Sequence, residues 1–264
     1  MQWENLTASD FAAAVQETGV CVLALGVLEQ HSEHLPLGTD MLVAHRIACL
    51  AAAREPAIVF PPFYFGQIYE AQAFPGAIAL RSDILLSLLH NVLDEIGRNG
   101  FRKIILYNGH GGNHHLLRFL AQCSLAEPKP YSVYVYTGEL NAEERARWQS
   151  VLETSHHGHA CGCETSLVLA GFPDLVHLER VPAQPADPLQ RMSHLPDAYA
   201  GIWWYADYPT HYAGDARPAS AEKGRVLEEI SVSALARFIA AVKADDVVPA
   251  LEREFFSRRT HLLP

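Results

Sequence analysis

The chain has 264 residues, of which 49% are hydrophobic and 19% charged, and this composition excludes disordered and fibrous proteins. Twenty basic and thirty acidic side chains give a net charge of −10, which argues against nucleic acid and anionic membranes as partners. We expect no membrane span, because no apolar run approaches the roughly 18 residues required, and no signal peptide within residues 1–10. Five thinly spread cysteines fit a reducing compartment, so we expect a cytoplasmic protein.

Short apolar runs rich in β-branched residues alternate with stretches of helical periodicity. In chain order, the pattern predicts strand 20–26, helix 41–54, strand 57–60, helix 83–98, strand 103–107, helix 113–126, strand 131–137, helices 142–152 and 164–170, and helix 221–242. This alternation predicts an α/β fold, with one domain over residues 1–264 whose mostly parallel sheet is flanked by helices. The proline-rich segment 181–218 is interpreted as a lid or an oligomer contact.

Histidine is unusually frequent, with 14 in the chain, and the first polar cluster directly follows the first predicted strand. Open parallel sheets place their ligands at such strand ends. Glu29 and His31 are two residues apart and can converge on one ion if the segment is extended. A Pro-Leu-Gly turn before Asp40 can return its carboxylate to the same point. Mixed carboxylate and imidazole ligands suit Zn²⁺, Mn²⁺ or Fe²⁺, and a solvated polar loop is the alternative interpretation.

The second cluster, Asn-Gly-His-Gly-Gly-Asn at residues 108–113, lies between the third predicted strand and its helix. The glycines permit a tight turn, and a helix N-terminus offers free N–H groups to an anion. A phosphate-binding loop is the competing interpretation. His110 without the lysine of a P-loop favours metal or oxyanion binding, and we interpret His114 and His115 as structural.

The third cluster spans residues 156–166 and contains three histidines, two cysteines and one glutamate. A single C-x-C pair, Cys161 and Cys163, is a weak signal for metal thiolates, and it favours small residues packed near a helix start. Glu164 is interpretable as a favourable acid in a first helical turn. Its position among histidines that include His159, in a chain with two similar clusters, favours a metal ligand.

These clusters resemble, in order and spacing, the three signatures of the creatininase (creatinine amidohydrolase) family. The matching segments are GVLEQHSEHLPLGTD at 26–40, YNGHGGNH at 107–114 and HACGCETSLVLA at 159–170. A fourth segment, GDARPASAEKG at 214–224, is similar to another stretch of that family. The resemblance covers roughly residues 23–240, and three ordered motifs make it specific.

The resemblance implies a metal-dependent hydrolase with an α/β fold, commonly a homohexamer, that acts on a small-molecule substrate. It also implies two divalent metal ions, with zinc, manganese and iron as candidates. Five residues fall on the family's metal ligands: Glu29, His31, Asp40, His110 and Glu164. In the family, Asp40 would bridge both ions, and His159 falls on the histidine that transfers protons.

Two departures from creatininases proper concern the second motif. Gly112 stands where those enzymes carry a glutamate that binds the second metal, and Gly111 stands where they carry a tyrosine. Family members with Asn-Gly-His-Gly-Gly-Asn use the later glutamate instead, which is Glu164 here. The third motif also lacks an acid, because Gly158 precedes the histidine. These differences argue against creatinine itself as the substrate.

Our hypothesis is therefore hydrolysis of a small cyclic amide or formamide by a metal-bound hydroxide. His159 would protonate the leaving group, and N–H groups around Gly111 and Gly112 would hold the oxyanion. Gln67 or Glu70 could contact the substrate. Aromatic residues near turns either line a pocket or belong to the core: Tyr64, Phe65, Tyr69, Phe74, Trp203, Trp204 and Tyr205.

Three alternatives remain open at this point. The first is a hydrolase that opens an oxidised inositol-type ring at a C–C bond, which the same family includes. The second is a non-catalytic metal- or ligand-binding protein, because a fold does not dictate a function. The third is a nucleotide-binding α/β protein that uses the turn at residues 109–112 for phosphate.

Overall fold

Four parallel strands form the central sheet of the computed structural model, which describes residues 1–154 and 156–259. Strand β1 (Val20–Leu25) is buried along its whole length and pairs with β2 (Ile58–Val59) and β3 (Lys103–Asn108). Strand β4 (Ser132–Tyr136) pairs with β3, which gives the order β2-β1-β3-β4. The continuous apolar run of β1 is typical of a parallel strand covered on both faces, and the predicted mostly parallel α/β sheet is confirmed.

Helices cover both faces of this sheet. The helices of the described residues are α1 (Ala8–Thr18), α2 (Thr39–Arg54), α3 (Ser82–Arg98), α4 (Asn113–Cys123), α5 (Ala142–Val151), α6 (Gly162–Gly171), α7 (Trp203–Asp207), α8 (Ala221–Ala244) and α9 (Val247–Arg259). Leu23 and Leu25 of β1 pack in one core with α1, α3 and α4. Val22 and Ala24 point to the other face, where α2 and α8 pack, as the twofold alternation of a strand requires.

A second, two-stranded sheet lies outside the main one. Strand β5 (His157–His159) pairs antiparallel with β6 (Ala213–Gly214). Helix α6 follows β5 directly and crosses α8, where Gly224 meets the backbone of Ser166. The short sheet and this helix crossing together fix the part of the chain that carries the third polar cluster.

The predicted strands and helices are present, with ends shifted by a few residues. The helix predicted over 113–126 ends as an α-helix at Cys123, and a 3-10 turn (Ser124–Ala126) follows it. The sequence pattern did not predict α1, α7, α9 or the small second sheet. Helix α9 has no buried residue, and β5 and β6 are too short for a periodic signal. Among the described residues we find no helix with the length and apolar character needed to cross a bilayer.

Candidate metal centre

The predicted ligand residues meet at the carboxyl ends of β1 and β3. Glu29 and His31 follow β1, His110 follows β3, and Asp40 lies in the first turn of α2. Two glycines let these segments approach. A Cβ at Gly26 would lie 2.3 Å from the backbone nitrogen of Met41, and one at Gly109 would lie 2.5 Å from the Cβ of Ala44. Glycine at both positions therefore allows the start of α2 to sit directly against the two strand ends.

One group of ligand atoms contains Glu29, Asp40 and His110, all of them buried. The Nδ1 atom of His110 lies 2.9 Å from Oε1 of Glu29 and 2.9 Å from Oδ2 of Asp40. Neither carboxylate oxygen has a hydrogen-bond partner, although both are buried. Buried polar atoms normally find hydrogen-bond partners, so two buried carboxylate oxygens that lack them and converge on one imidazole nitrogen have the arrangement of ligands around a shared cation.

A second group contains His31, Asp40 and Glu164, whose ligand atoms lie within 4.8 Å of one another. The Nε2 atom of His31 is 3.0 Å from Oδ1 of Asp40. Asp40 thus offers one carboxylate oxygen to each group. Glu164 comes from the first turn of α6, where its Oε2 atom accepts a hydrogen bond of 2.5 Å from the backbone N–H of Ala160. The structure therefore brings all five residues together in two groups that share Asp40.

His159 is buried beside both groups. Its Nε2 atom lies 2.6 Å from the carbonyl oxygen of Gln30, and its ring centroid is 4.2 Å from that of His31. Burial and the neighbouring His31 lower the pKa of His159 to about 3. The imidazole is therefore neutral, with Nε2 donating to Gln30 and Nδ1 left as a proton acceptor.

Burial and neighbouring side chains shift the pKa values of the candidate ligands Glu29, His31 and Glu164. Burial opposes ionisation of Glu29, but the surrounding imidazoles outweigh it and hold the pKa of Glu29 well below its usual range. Burial also disfavours a charge on His31, yet Asp40 outweighs burial and the pKa of His31 rises to about 10. Burial and Cys161 raise the pKa of Glu164 to about 8. Protons on these side chains stabilise the cluster where cations are absent.

His211 is a residue of this cluster that the sequence analysis missed. Its side chain is 1% exposed, and its Nε2 atom lies 2.6 Å from Oε2 of Glu29. The indole Nε1–H of Trp204 donates to its Nδ1 atom at 2.9 Å. One feature of the sequence could have pointed to His211: it lies three residues before the fourth segment that resembles the family, at 214–224.

The cluster opens into a cavity of about 720 Å³. Trp203, Trp204 and Tyr199 line this cavity together with Gln67 and Glu70. Of the aromatic residues considered from sequence, the two tryptophans reach this cavity. Tyr64 and Phe65 instead stack on each other with ring centroids 4.4 Å apart, and Phe65 packs against the core. His114 and His115 also line the cavity, so their assignment as structural residues stays a prediction.

Gly112 lies in contact with Glu70. A Cβ at position 112 would lie 2.6 Å from Nε2 of His110, 2.9 Å from Oε1 of Glu70 and 3.0 Å from the carbonyl oxygen of Gln67. The second carboxylate oxygen of Glu70 accepts a hydrogen bond of 2.9 Å from Nε2 of Gln67. The space that a side chain at position 112 would need is therefore already filled by a fixed carboxylate.

Cys161 and Cys163 lie next to Glu164 at the start of α6. Cys161 directly precedes α6, and its Sγ atom is 3.0 Å from that of Cys163. With His157 they form a further group whose ligand atoms lie within 4.8 Å of one another, although His157 is exposed. Both cysteines therefore lie at the start of a helix, as the sequence analysis predicted.

The sequence as a whole matches a known family. Residues 4–239 match the family model Creatininase, described as creatinine amidohydrolase. The chain is 29% identical over 258 residues to the creatinine amidohydrolase of Pseudomonas putida, covering 88% of this chain and 93% of that protein. It is 31% identical to the mycofactocin precursor peptide peptidase of Mycobacterium ulcerans, with 77% and 78% covered. It is 26% identical to the 3-dehydro-scyllo-inosose hydrolase of Thermotoga maritima, with 84% and 77% covered.

Solved structures of creatininases also resemble this chain in fold. A crystal structure of creatininase superposes with a TM-score of 0.79 at 26% identity, covering 92% of this chain and 98% of that one. A mutant creatininase of the Zn-Zn type has the same TM-score, identity and coverage. A manganese form of creatininase gives a TM-score of 0.74 at 25% identity, with 92% and 99% covered.

The α/β fold and the cluster of carboxylates and imidazoles at its strand ends define a hydrolase with candidate metal ligands. The chain belongs to the creatininase family.

Proposed function

We propose that the protein is a dinuclear metal-dependent amidohydrolase that cleaves a small cyclic amide or a formamide. The two groups of buried ligand atoms that share Asp40 carry this proposal. Glu29, Asp40 and His110 would hold one divalent ion, and His31, Asp40 and Glu164 would hold the other. Buried oxygens on Glu29 and Asp40 that have no hydrogen-bond partner support the fit, because such atoms are costly without one.

The donor set narrows the choice of metal. Imidazole nitrogens and carboxylate oxygens without thiolates suit zinc, manganese and iron(II). Related creatininase structures are of a Zn-Zn type and a manganese form. When bound, divalent ions would acidify a water molecule and polarise the scissile carbonyl group.

The protein's own groups supply positioning and proton transfer. His159 is neutral, and its Nε2–H is engaged by the carbonyl oxygen of Gln30, so Nδ1 is the atom that would accept a proton and later return it to the leaving group. The backbone at Gly111 and Gly112 lines the same cavity, where N–H groups would stabilise the developing oxyanion. The wall of Trp203 and Trp204 would exclude water from the substrate.

We favour a substrate other than creatinine, because Gly111 and Gly112 stand where creatininases proper carry a tyrosine and a glutamate. The carboxylate of Glu70 fills the space beside Gly112 and presents a fixed hydrogen-bond acceptor to the cavity, which suits a substrate with an N–H group. A cavity of about 720 Å³ is within the range of sites for drug-sized ligands, so it accommodates molecules larger than a single small ring.

The test is hydrolysis of a panel of cyclic amides, formamides and ring ketones by the protein loaded with zinc, manganese or iron(II). We expect hydrolysis of an amide that is abolished by a chelator and restored by the ion. His159→Ala should keep its metal content and lose hydrolysis. His90→Ala, an exposed substitution on α3, is the matched control and should retain both.

Full activity of His159→Ala would contradict the proton-transfer role, and hydrolysis that survives complete metal removal would contradict the metal-dependent reaction. Cleavage of a ring ketone but no amide would favour C–C ring opening. Tight nucleotide binding that is insensitive to a chelator would favour phosphate binding at residues 109–112.

We also propose a cytoplasmic homohexamer, as the family resemblance implies. The exposed side chains of Tyr199, Ile202 and Trp203 support a protein contact at the segment around α7, because exposed apolar patches often mark interfaces. Light scattering should give a mass six times the 29.2 kDa of one chain. The mass of a single chain would contradict the hexamer.

A further inference from the structure

His211 holds a backbone conformation that residues with a Cβ adopt uncommonly. Its φ angle is +62°, in the left-handed region that is unfavourable for most residues with a Cβ. The side chain is nonetheless buried, at 1% exposure. A residue kept in an unfavourable conformation is a reason to look for a function of its side chain.

Two hydrogen bonds determine the tautomer of His211. The indole N–H of Trp204 can only donate, so the Nδ1 atom that it contacts at 2.9 Å must be an acceptor. A neutral imidazole with a free lone pair on Nδ1 carries its hydrogen on Nε2. That N–H therefore donates to Oε2 of Glu29 across 2.6 Å.

This donation makes the two oxygens of Glu29 different. Oε2 is occupied by His211, whereas Oε1 is buried, has no hydrogen-bond partner and lies 2.9 Å from Nδ1 of His110. Glu29 thus presents one oxygen to the group that contains Asp40 and His110. Groups that orient metal ligands in this way commonly change metal affinity about 10–100-fold when they are mutated.

The surroundings hold the imidazole of His211 in place. The ring of Phe74 lies 5.1 Å from it by centroid, and that of His159 lies 4.6 Å away. Trp204 belongs to α7, in the irregular segment that covers the cavity, and its ring centroid is 5.9 Å from His211. The hydrogen-bond chain therefore connects the cavity wall with a candidate metal ligand.

We propose that Trp204 and His211 act as a positioning pair that fixes Glu29 as a one-oxygen ligand and so sets the affinity of the ion held with Asp40 and His110. This inference rests on the proposed function. Through Trp204, the segment around α7 would then influence how tightly the protein binds the ion held by Glu29, Asp40 and His110. The other group, with His31, Asp40 and Glu164, does not contain Glu29, although a ligand atom of Glu29 also lies within 4.8 Å of ligand atoms of His31 and His159.

Two substitutions separate the hydrogen bonds of His211. An asparagine amide reaches as far as Nδ1 and tolerates a left-handed backbone, so His211→Asn keeps a partner for Trp204 but loses the donor to Glu29. A glutamine amide reaches as far as Nε2, so His211→Gln can restore that donor. We expect one ion to bind about 10–100-fold more weakly in His211→Asn, the other ion to bind as in the wild type, and His211→Gln to recover most of the loss.

Tryptophan variants test the other end of the chain. Trp204→Phe keeps an aromatic ring but removes the N–H, and we expect a smaller loss of affinity for the same ion. Trp148→Phe removes an indole N–H from α5, outside the cavity lining, and should bind both ions as the wild type does. Trp204→Phe also carries the test if His211→Asn does not fold.

The readouts are titrations with zinc and with manganese against a chelating indicator, together with metal content per chain. The chain has four tryptophans, so the indole N–H signal of Trp204 can be assigned by its absence in Trp204→Phe and should shift when the first ion is added. Wild-type affinities in His211→Asn would overturn the positioning role and leave the proposed function intact. A wild type that binds no divalent ion would overturn both.

Discussion

The crossing of α6 and α8 depends on Gly224, and we expect alanine there to destabilise the fold. A Cβ at this position would lie 1.8 Å from the carbonyl oxygen of Ser166 and 2.9 Å from the Cβ of Ala170. Real Cβ contacts essentially never fall below 3.0 Å, so the helices must part by at least the difference of 1.2 Å. Both obstructing atoms belong to α6 and cannot rotate away.

The size of the effect follows from two opposing terms. Overpacking in a well-packed core costs about 1–3 kcal/mol, and contact with backbone places Gly224→Ala near 3 kcal/mol by that scale. Alanine is favoured over glycine inside a helix by about 1 kcal/mol. The free energy of unfolding should therefore fall by about 2 kcal/mol, which lowers Tm by roughly 4–8 °C in a chain of this size.

The assay is thermal and urea unfolding of the metal-free protein, followed by metal titration. Gly171→Ala is the matched control, because its Cβ would lie 2.7 Å from Cδ of Arg46, a side chain that can move. We expect a loss below about 1 kcal/mol there. Since α6 carries Glu164, Gly224→Ala should also weaken metal binding. Equal stability of the two variants would refute the packing argument.

Two further predictions concern the site. Metal binding should displace protons, because the pKa of His31 is raised to about 10 and that of Glu164 to about 8. The apparent affinity for the metal should therefore rise about tenfold per pH unit for each proton displaced between about pH 6 and 8. A pH-independent affinity would contradict this assignment. Replacing Cys161 and Cys163 with serine should leave the number of bound ions unchanged by elemental mass spectrometry, and the loss of an ion would make the thiols ligands.

The main sheet and most of the cluster could be predicted from sequence because their signals are local. The apolar run of β1 is followed within a few residues by Glu29 and His31, and the glycine turn places His110 at the end of β3. Parallel strands present these ends at one edge. Local sequence therefore indicated which side chains would meet.

The remainder depends on contacts that no local pattern encodes. His211 meets Glu29 across 182 positions of sequence, from a proline-rich segment without a clear period. The pairing of β5 with β6 involves three and two residues, fewer than a strand signal needs. Glu70 likewise lies against Gly112 only because the fold brings these two distant parts of the chain together.

Metal content per chain, measured by elemental mass spectrometry on gently purified wild type and Asp40→Asn, tests the central claim most directly. Asp40 is shared by both groups of ligand atoms, so we expect close to two divalent ions in the wild type and loss of both in the variant. A wild type that binds no ion after incubation with zinc, manganese or iron(II), or an Asp40→Asn variant that keeps both ions, would contradict it.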